Sequence, residues 1–212
     1  MTKEQVQVSG SQGLTRLQSA VKRSFDIVVA TVGLLLTWWL ILLASTAASL
    51  DTNESGLFTQ TRVGKDGRLF KVIKIRTMRD IPSFTTTVTS AHDPRITSLG
   101  RFLRRTKIDE LPQLINVLFG QMSFVGPRPD VPGFADELSG ADRIILSVRP
   151  GITGPATLRF RYEEQTLSAQ PDPEEYNREV IFPEKVRLNR EYVVNYSFGK
   201  DLRCIYQTIL GR

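Results

Sequence analysis

The chain has 212 residues, a formal net charge of +6, one histidine and one cysteine. The length suits one domain with an appendage, and the basic excess favours anionic partners: nucleic acid, a phospholipid surface or a phosphorylated substrate. Cys204 has no second cysteine to pair with, and His92 has no second histidine for a His-based triad or zinc cluster.

Residues 1–21 are polar and read as an N-terminal tail, with a helical turn around Leu14 and Leu17. After Asp26 the run from Ile27 to Leu50 is uncharged. As a helix it is about 36 Å long at 1.5 Å per residue, enough to cross a bilayer core. A cleaved signal peptide is a poorer reading, because the run is too long and has no A-x-A site before a plausible mature domain. Arg16, Lys22 and Arg23 precede the run, and Arg62, Lys65, Arg68 and Lys71 follow it. The positive-inside rule keeps both flanks on the cytoplasmic side. A helix over residues 22–50 that enters one leaflet, bends and returns satisfies this rule, whereas a spanning one would leave Lys22 and Arg23 on the wrong side. No proline marks a bend, so both stay open, with Asp26 at headgroup depth and residues 51–212 as a cytoplasmic domain.

Leu57–Thr61 and Leu69–Arg76 alternate as strands around an Asp66-Gly67 hairpin signal. Lys71, Lys74 and Arg76 are expected to give the second strand a basic face. Residues 80–94, rich in Ser and Thr, read as a mobile lid, with His92 as a loop residue. An amphipathic helix is expected from Ile96 to Arg105 and a central helix from Asp109 to Phe119. Further on, the pattern predicts a polar helix around Phe134–Leu146 and a stiff Gly/Pro loop from Val148 to Pro155. A short strand is expected at Thr157–Tyr162, an acidic surface loop over residues 163–183, and helices over Glu184–Tyr196 and around Leu202–Ile209. The fold class is α+β and mainly helical, with a re-entrant membrane helix, amphipathic interfacial helices and a small β-hairpin or sheet.

Gly100–Pro129 carries the chemistry. Arg101, Arg104 and Arg105 precede the pair Asp109-Glu110, and the stiff loop Gly126-Pro127-Arg128-Pro129 follows. Thr106-x-x-Asp109 also reads as a capping box, which by itself would explain the acid. Arg62, Arg104, Arg128 and Arg149 suit phosphate oxygens through their planar fork. Adjacent acids suit Mg²⁺, which takes one or two carboxylates plus substrate phosphates, and an aspartate can itself attack phosphorus. Together these features point to phosphoryl-type transfer at a membrane surface.

Several motifs in one order make the chain resemble the bacterial sugar transferases, the monotopic phosphoglycosyl transferases that act on polyprenyl phosphate, in their minimal catalytic-core form. They are Lys22-Arg23-Ser24-Phe25-Asp26, Phe58-Thr59-Gln60-Thr61-Arg62-Val63-Gly64 and Phe70-Lys71-Val72-Ile73-Lys74-Ile75-Arg76-Thr77-Met78. Asp93-Pro94-Arg95-Ile96-Thr97, Ile108-Asp109-Glu110-Leu111-Pro112-Gln113-Leu114, Ser123–Pro129 and Arg149–Gly154 complete the series. The resemblance implies transfer of a sugar 1-phosphate from a UDP-sugar to undecaprenyl phosphate with release of UMP, at the bacterial inner membrane. It implies that Asp109 is the nucleophile of a covalent phosphosugar intermediate and that Glu110 helps hold Mg²⁺, so that both acids are metal candidates. Arg104, Arg128 and Arg149 are the first phosphate-binding candidates, with Arg62, Lys74 and Arg76 beside them. Members often place Ser-Pro at the bend of the membrane helix; here Trp38-Trp39 stand there.

Two other classes of protein would leave different marks on such a sequence. A non-catalytic basic adaptor on anionic lipid would be free to lose the acid pair and the arginine loops. A nucleic-acid binder would interleave aromatic and basic residues, which this sequence does not do, so no nucleic acid is expected as a partner. A homodimer is compatible with the sequence.

Overall fold

The structure is a computed structural model and describes residues 13–81 and 93–211. Residues 82–92, which hold most of the expected lid and His92, lie outside the described residues, as does most of the N-terminal tail.

Helix α1 (Arg16–Thr52) is one continuous element of 37 residues. It starts ahead of Lys22 because Thr15 and Gln18 form a reciprocal capping box, each side chain accepting from the other's backbone N–H. Among the described helices it is the one long and apolar enough to cross a membrane. Its inner face carries Asp26, Ala30, Ala44, Ala48 and Thr52, all buried. The opposite face exposes Val28, Val32, Leu35, Leu36, Trp39, Leu42, Leu43 and Leu50. Small residues every three or four positions let the helix lie close along the domain.

Both halves of α1 rest on the same domain. Ala30 packs with Val72, Val117 and Met122, whereas Ala44 and Ala48 pack with Ile75 and Leu103. Asp26 is buried where the sequence reading put it at headgroup depth: it accepts from Ser123 Oγ and from the Phe124 N–H, both at 3.1 Å. Arg23 donates to the carbonyls of Val117 and Leu118 at 2.6 and 2.8 Å.

Strands β1 (Leu57–Val63) and β2 (Leu69–Ile75) form the expected antiparallel hairpin, with Leu57 opposite Ile75 and Val63 opposite Leu69. Asp66 and Gly67 both take positive φ at the turn. The single basic face does not form. Lys71 and Lys74 are an odd number of residues apart and therefore point to opposite faces.

Helix α2 (Ser98–Thr106) is capped by Thr97, whose side chain accepts from the Gly100 N–H. It ends at Lys107 in the left-handed conformation. One 3-10 turn (Ile108–Glu110) and the short helix α3 (Gln113–Leu118) replace the expected continuous central helix. Pro112, which cannot donate a backbone hydrogen bond, stands at the junction. The expected capping box at Thr106 is absent: its hydroxyl donates back to the carbonyls of Phe102 and Leu103.

Strands β3 (Ser123–Val125) and β4 (Gly151–Thr153) pair in parallel. The sequence pattern placed β4 inside the stiff Val148–Pro155 loop and assigned no element to Ser123–Val125. The polar helix around Phe134–Leu146 is two 3-10 segments, Ala135–Glu137 and Gly140–Ser147. Where a strand was expected at Thr157–Tyr162, helix α4 (Pro155–Arg159) forms, since Pro155 at its first turn is pre-set for a helix. The expected acidic loop is also helical: α5 (Glu163–Ser168), α6 (Pro173–Tyr176) and a π-helical stretch (Asn177–Ile181) lead into α7 (Phe182–Val194). Acidic residues in the first turns of α5 and α6 favour the helix dipole, which a polar-equals-loop reading overlooks. Helix α8 (Phe198–Ile209) closes the chain. The mainly helical α+β class holds.

Candidate active site

Asp109 and Glu110 occupy the 3-10 turn between α2 and α3. Lys107 at φ 59° reverses the chain just before them, and its N–H bonds the Arg104 carbonyl. A non-glycine residue in this conformation costs of order 1 kcal/mol and is kept when the surroundings fix it. The reversal presents the acid pair to β2 on one side and to the Arg128 loop on the other.

Glu110 is clamped. Its Oε1 accepts from Arg128 Nη2 at 3.0 Å and from Lys74 Nζ at 3.5 Å. Burial by itself would raise the Glu110 carboxyl, but Arg128 and Lys74 hold it far below the usual carboxylate range. Lys74 is lowered by burial against the opposing pull of Glu110. Asp109 differs. Burial and the neighbouring Glu110 charge push its pKa up, while Lys74, Lys107 and Arg104 pull against them. Its Oδ1 is buried with no hydrogen-bond partner. A buried, unsatisfied carboxylate oxygen costs free energy, and a cation or a reacting phosphorus centre would relieve that cost. The Arg128 side chain remains 39 % exposed, so it is accessible to a ligand as well as to Glu110.

Arg62 shares a sheet face with Lys74, because it pairs with Phe70, which lies an even four residues before Lys74 on β2. It donates to the Pro129 carbonyl at 3.2 Å and to Gln60 Oε1 at 2.6 Å. Burial, with Arg128 nearby, lowers it to about 10. Arg62 thus braces the Arg128 loop from behind.

The loop itself is fixed by close backbone approach. A Cβ on Gly126 would lie 2.5 Å from the Arg149 carbonyl oxygen, and one on Gly151 would lie 2.1 Å from the Gly126 nitrogen. Only glycine lets the Gly126–Pro129 and Arg149–Gly154 segments touch in this way.

Arg104 acts electrostatically on Asp109 and forms an ion pair with Glu164 of α5. Arg76 and Arg149 do not contact the acids. Arg76 bonds the Ser55 carbonyl at 2.7 Å and pairs with Glu54 at 2.8 Å, at the start of β1. Arg149 donates to the Gly120 carbonyl at 2.7 Å, beside Arg23 at the far end of α3. There the two arginines satisfy carbonyls left open by the helix terminus.

The sequence reading missed four groups around this cluster. Asp130 follows Pro129 and is pushed up to about 6 by burial, against the pull of Lys185 and Arg62. Lys185 of α7 pairs with Glu163 of α5 at 2.7 Å. Glu164 completes the set through Arg104. Only Asp130 had a local signal, its place directly after the Arg128 motif.

The family model described as bacterial sugar transferase matches residues 17–211. The chain belongs to the bacterial sugar transferase family. It is 36 % identical over 202 residues to the UDP-glucose:undecaprenyl-phosphate glucose-1-phosphate transferase of Escherichia coli (strain K12), covering 93 % of this chain and 40 % of that one. It is 36 % identical over 201 residues to the exopolysaccharide production protein PSS of Rhizobium leguminosarum bv. phaseoli, covering 90 % and 94 %. A UDP-glucose:undecaprenyl-phosphate glucose-1-phosphate transferase of Caulobacter vibrioides (strain ATCC 19089 / CIP 103742 / CB 15) is 35 % identical over 197 residues, covering 89 % and 68 %. The chain therefore spans less than half of the E. coli relative and nearly all of the Rhizobium one. In this bacterial sugar transferase, Asp109-Glu110, Lys74, Arg128 and Arg104 converge, braced by Arg62.

Proposed function

We propose that the protein transfers a sugar 1-phosphate from a UDP-sugar to undecaprenyl phosphate, releasing UMP, as a first membrane step of glycoconjugate synthesis. The observation that carries this reading is the difference between the two acids: Glu110 is paired with Arg128 and Lys74, while Asp109 is buried with an unpartnered oxygen. One carboxylate is thus held in place and its neighbour is free to react.

In the first step an Asp109 carboxylate oxygen attacks the β-phosphorus. The bond from that phosphorus to the bridging oxygen breaks, and UMP leaves with the electron pair. In the second step an oxygen of undecaprenyl phosphate attacks the same phosphorus, and the Asp109 carboxylate is released. Arg128, Lys74 and Arg104 offset charge on the transferring group, an effect strengthened where water is excluded. No proton must move in either step, which fits a site with no histidine among the described residues.

The residues fit a magnesium ion. No group of three or more His, Cys, Asp or Glu side chains clusters among the described residues, which argues against an all-protein metal cage. Mg²⁺ needs only one or two carboxylates, with substrate phosphates and water completing its shell. The orphaned Asp109 Oδ1 and the Glu110 Oε2, opposite the oxygen taken by Arg128 and Lys74, are the donors that would hold it. When bound, the ion would neutralise diphosphate charge and favour departure of UMP.

The packing of α1 supports monotopic insertion from the cytoplasmic side of the inner membrane. Asp26 and Ala48 are about 33 Å apart along a helix at 1.5 Å per residue, and both are buried against one domain. A helix crossing the bilayer at right angles could not keep both ends on a domain at one surface. The exposed Trp38 and Trp39 then lie against lipid, in keeping with the interfacial preference of tryptophan.

The test is UMP release by the protein in nanodiscs with undecaprenyl phosphate, Mg²⁺ and a panel of UDP-sugars. UMP from one sugar, lost in Asp109→Asn and in EDTA, is the expected result. Folded protein that retains lipid binding but releases no UMP would instead favour the basic membrane adaptor. A phosphosugar adduct on Asp109, sought by mass spectrometry, tests the covalent step.

A further inference from the structure

Helix α5 brings two negative charges to a site otherwise built to receive phosphate. Glu163 and Glu164 are adjacent, yet they reach different elements. Glu164 pairs with Arg104 on α2. Glu163 pairs with Lys185 on α7 at 2.7 Å and also acts electrostatically on Arg128. Arg104 and Arg128 are the two arginines that face the acid pair.

We propose that Glu163 and Glu164 are resident counter-anions, which hold the site's cations while it is free and are displaced by the phosphates of an entering nucleotide diphosphate, so that α5 swings off as a strap. This inference rests on the reading of the Asp109 site as a nucleotide-sugar site.

Three features favour displacement over a fixed structural role. The Glu164 side chain is 47 % exposed and that of Arg104 is 25 % exposed, and an ion pair this open to water is weak. A phosphate presents more acceptor oxygens to the guanidinium than a carboxylate does and carries more charge. Helix α5 has six residues and one buried side chain, Leu167, so little apolar burial holds it down. Segments with few buried contacts are those that open locally. The two glutamates also offset part of the site's positive charge when it is empty: Arg104 and Lys185 each pair with an α5 carboxylate that the ligand's phosphates would replace.

The experiment measures UDP binding to the full-length protein in nanodiscs by calorimetry. Glu163→Gln/Glu164→Gln should bind UDP roughly two- to fivefold more tightly than wild type, the factor expected from releasing an exposed ion pair. The gain from Glu164→Gln alone should vanish in an Arg104→Ala background, as a double-mutant cycle requires of coupled residues. In wild type, hydrogen exchange of residues 163–168 should speed up when UDP binds. Unchanged or weaker UDP binding in the double glutamine variant, or slower exchange in α5, would overturn the strap while leaving the site reading intact. Wild-type protein that binds no UDP would overturn the site reading and the strap with it.

Discussion

Lys22 Nζ lies 2.5 Å from Asp201 Oδ2, joining the first helix to the last through an ion pair whose side chains are 8 % and 2 % exposed. Asp201 also accepts from Tyr192 at 2.6 Å and from Tyr196 at 3.2 Å. Lys22, which the sequence presents as one of the basic residues fixing topology, is thus consumed in packing. Removing one partner of a buried pair leaves an uncompensated charge and costs about 3–5 kcal/mol. Lys22→Ala and Asp201→Ala should each lower the thermal unfolding midpoint sharply in detergent. Lys22→Met/Asp201→Leu should recover much of the loss, because the stranded charge is gone. A single variant costing less than about 1 kcal/mol, as for a surface pair, would show that the pair is not buried in solution.

The two acids should part company in a pH titration. Burial and Glu110 raise the pKa of Asp109. Its protonated form cannot attack phosphorus, so UMP release should fall at a pH above the ordinary aspartate range. Glu110 is depressed by Arg128 and Lys74. A depressed carboxyl contributes stability above its unfolded pKa and loses it only as pH falls through the low folded value. Asp109 has the opposite sign, since its protonation relieves a buried charge. On acidification, activity should therefore vanish while the near-UV circular dichroism is still native. Coincident loss of both would contradict the separation.

Glu110→Gln tests the clamp directly. It removes the like charge beside Asp109 and frees Lys74, and both changes favour ionised Asp109. The rate should drop, because Arg128 loses its carboxylate anchor, yet the acid limb of the remaining activity should move to lower pH. A limb that stays in place, measured on enough enzyme to follow the residual UMP release, would mean that Glu110 does not act on Asp109 electrostatically.

The site was legible where residues act through local pattern. Asp109-Glu110 beside arginines, the stiff Arg128 loop and the Asp66-Gly67 turn all show in a few consecutive residues. What was hidden depends on long-range partners. Arg149 resembles Arg128 in sequence, each followed by Pro, but the pairing of β3 with β4 aims it at Gly120. Lys71 and Lys74 look equivalent until strand parity separates them. Glu163 and Glu164 read as solvated loop acids because Arg104 and Lys185, their partners, are 60 and 22 residues away in the chain. Asp26 looked like a headgroup charge because nothing near it announces the Ser123 and Phe124 donors across the fold.

Gly151 offers a test of the loop contact that sets Arg128. A Cβ there would sit 2.1 Å from the Gly126 nitrogen and 2.5 Å from the Thr153 carbonyl oxygen, and both neighbours are backbone atoms that cannot rotate away. Gly151→Ala must push the Gly126–Pro129 loop outward. Overpacking of this kind costs about 1–3 kcal/mol, and the shift carries Arg128 away from Glu110. Gly199, in the first turn of α8, has nothing within 4 Å of its Cβ position, so Gly199→Ala should be neutral or stabilising by a few tenths up to about 1 kcal/mol. Unfolding midpoints and UMP release measured side by side separate the two effects. Gly151→Ala should lose activity beyond what its stability loss explains at a temperature where it is fully folded, and Gly199→Ala should keep wild-type turnover. If Gly151→Ala retains full turnover when folded, then contact between the two loops does not position Arg128 for the reaction.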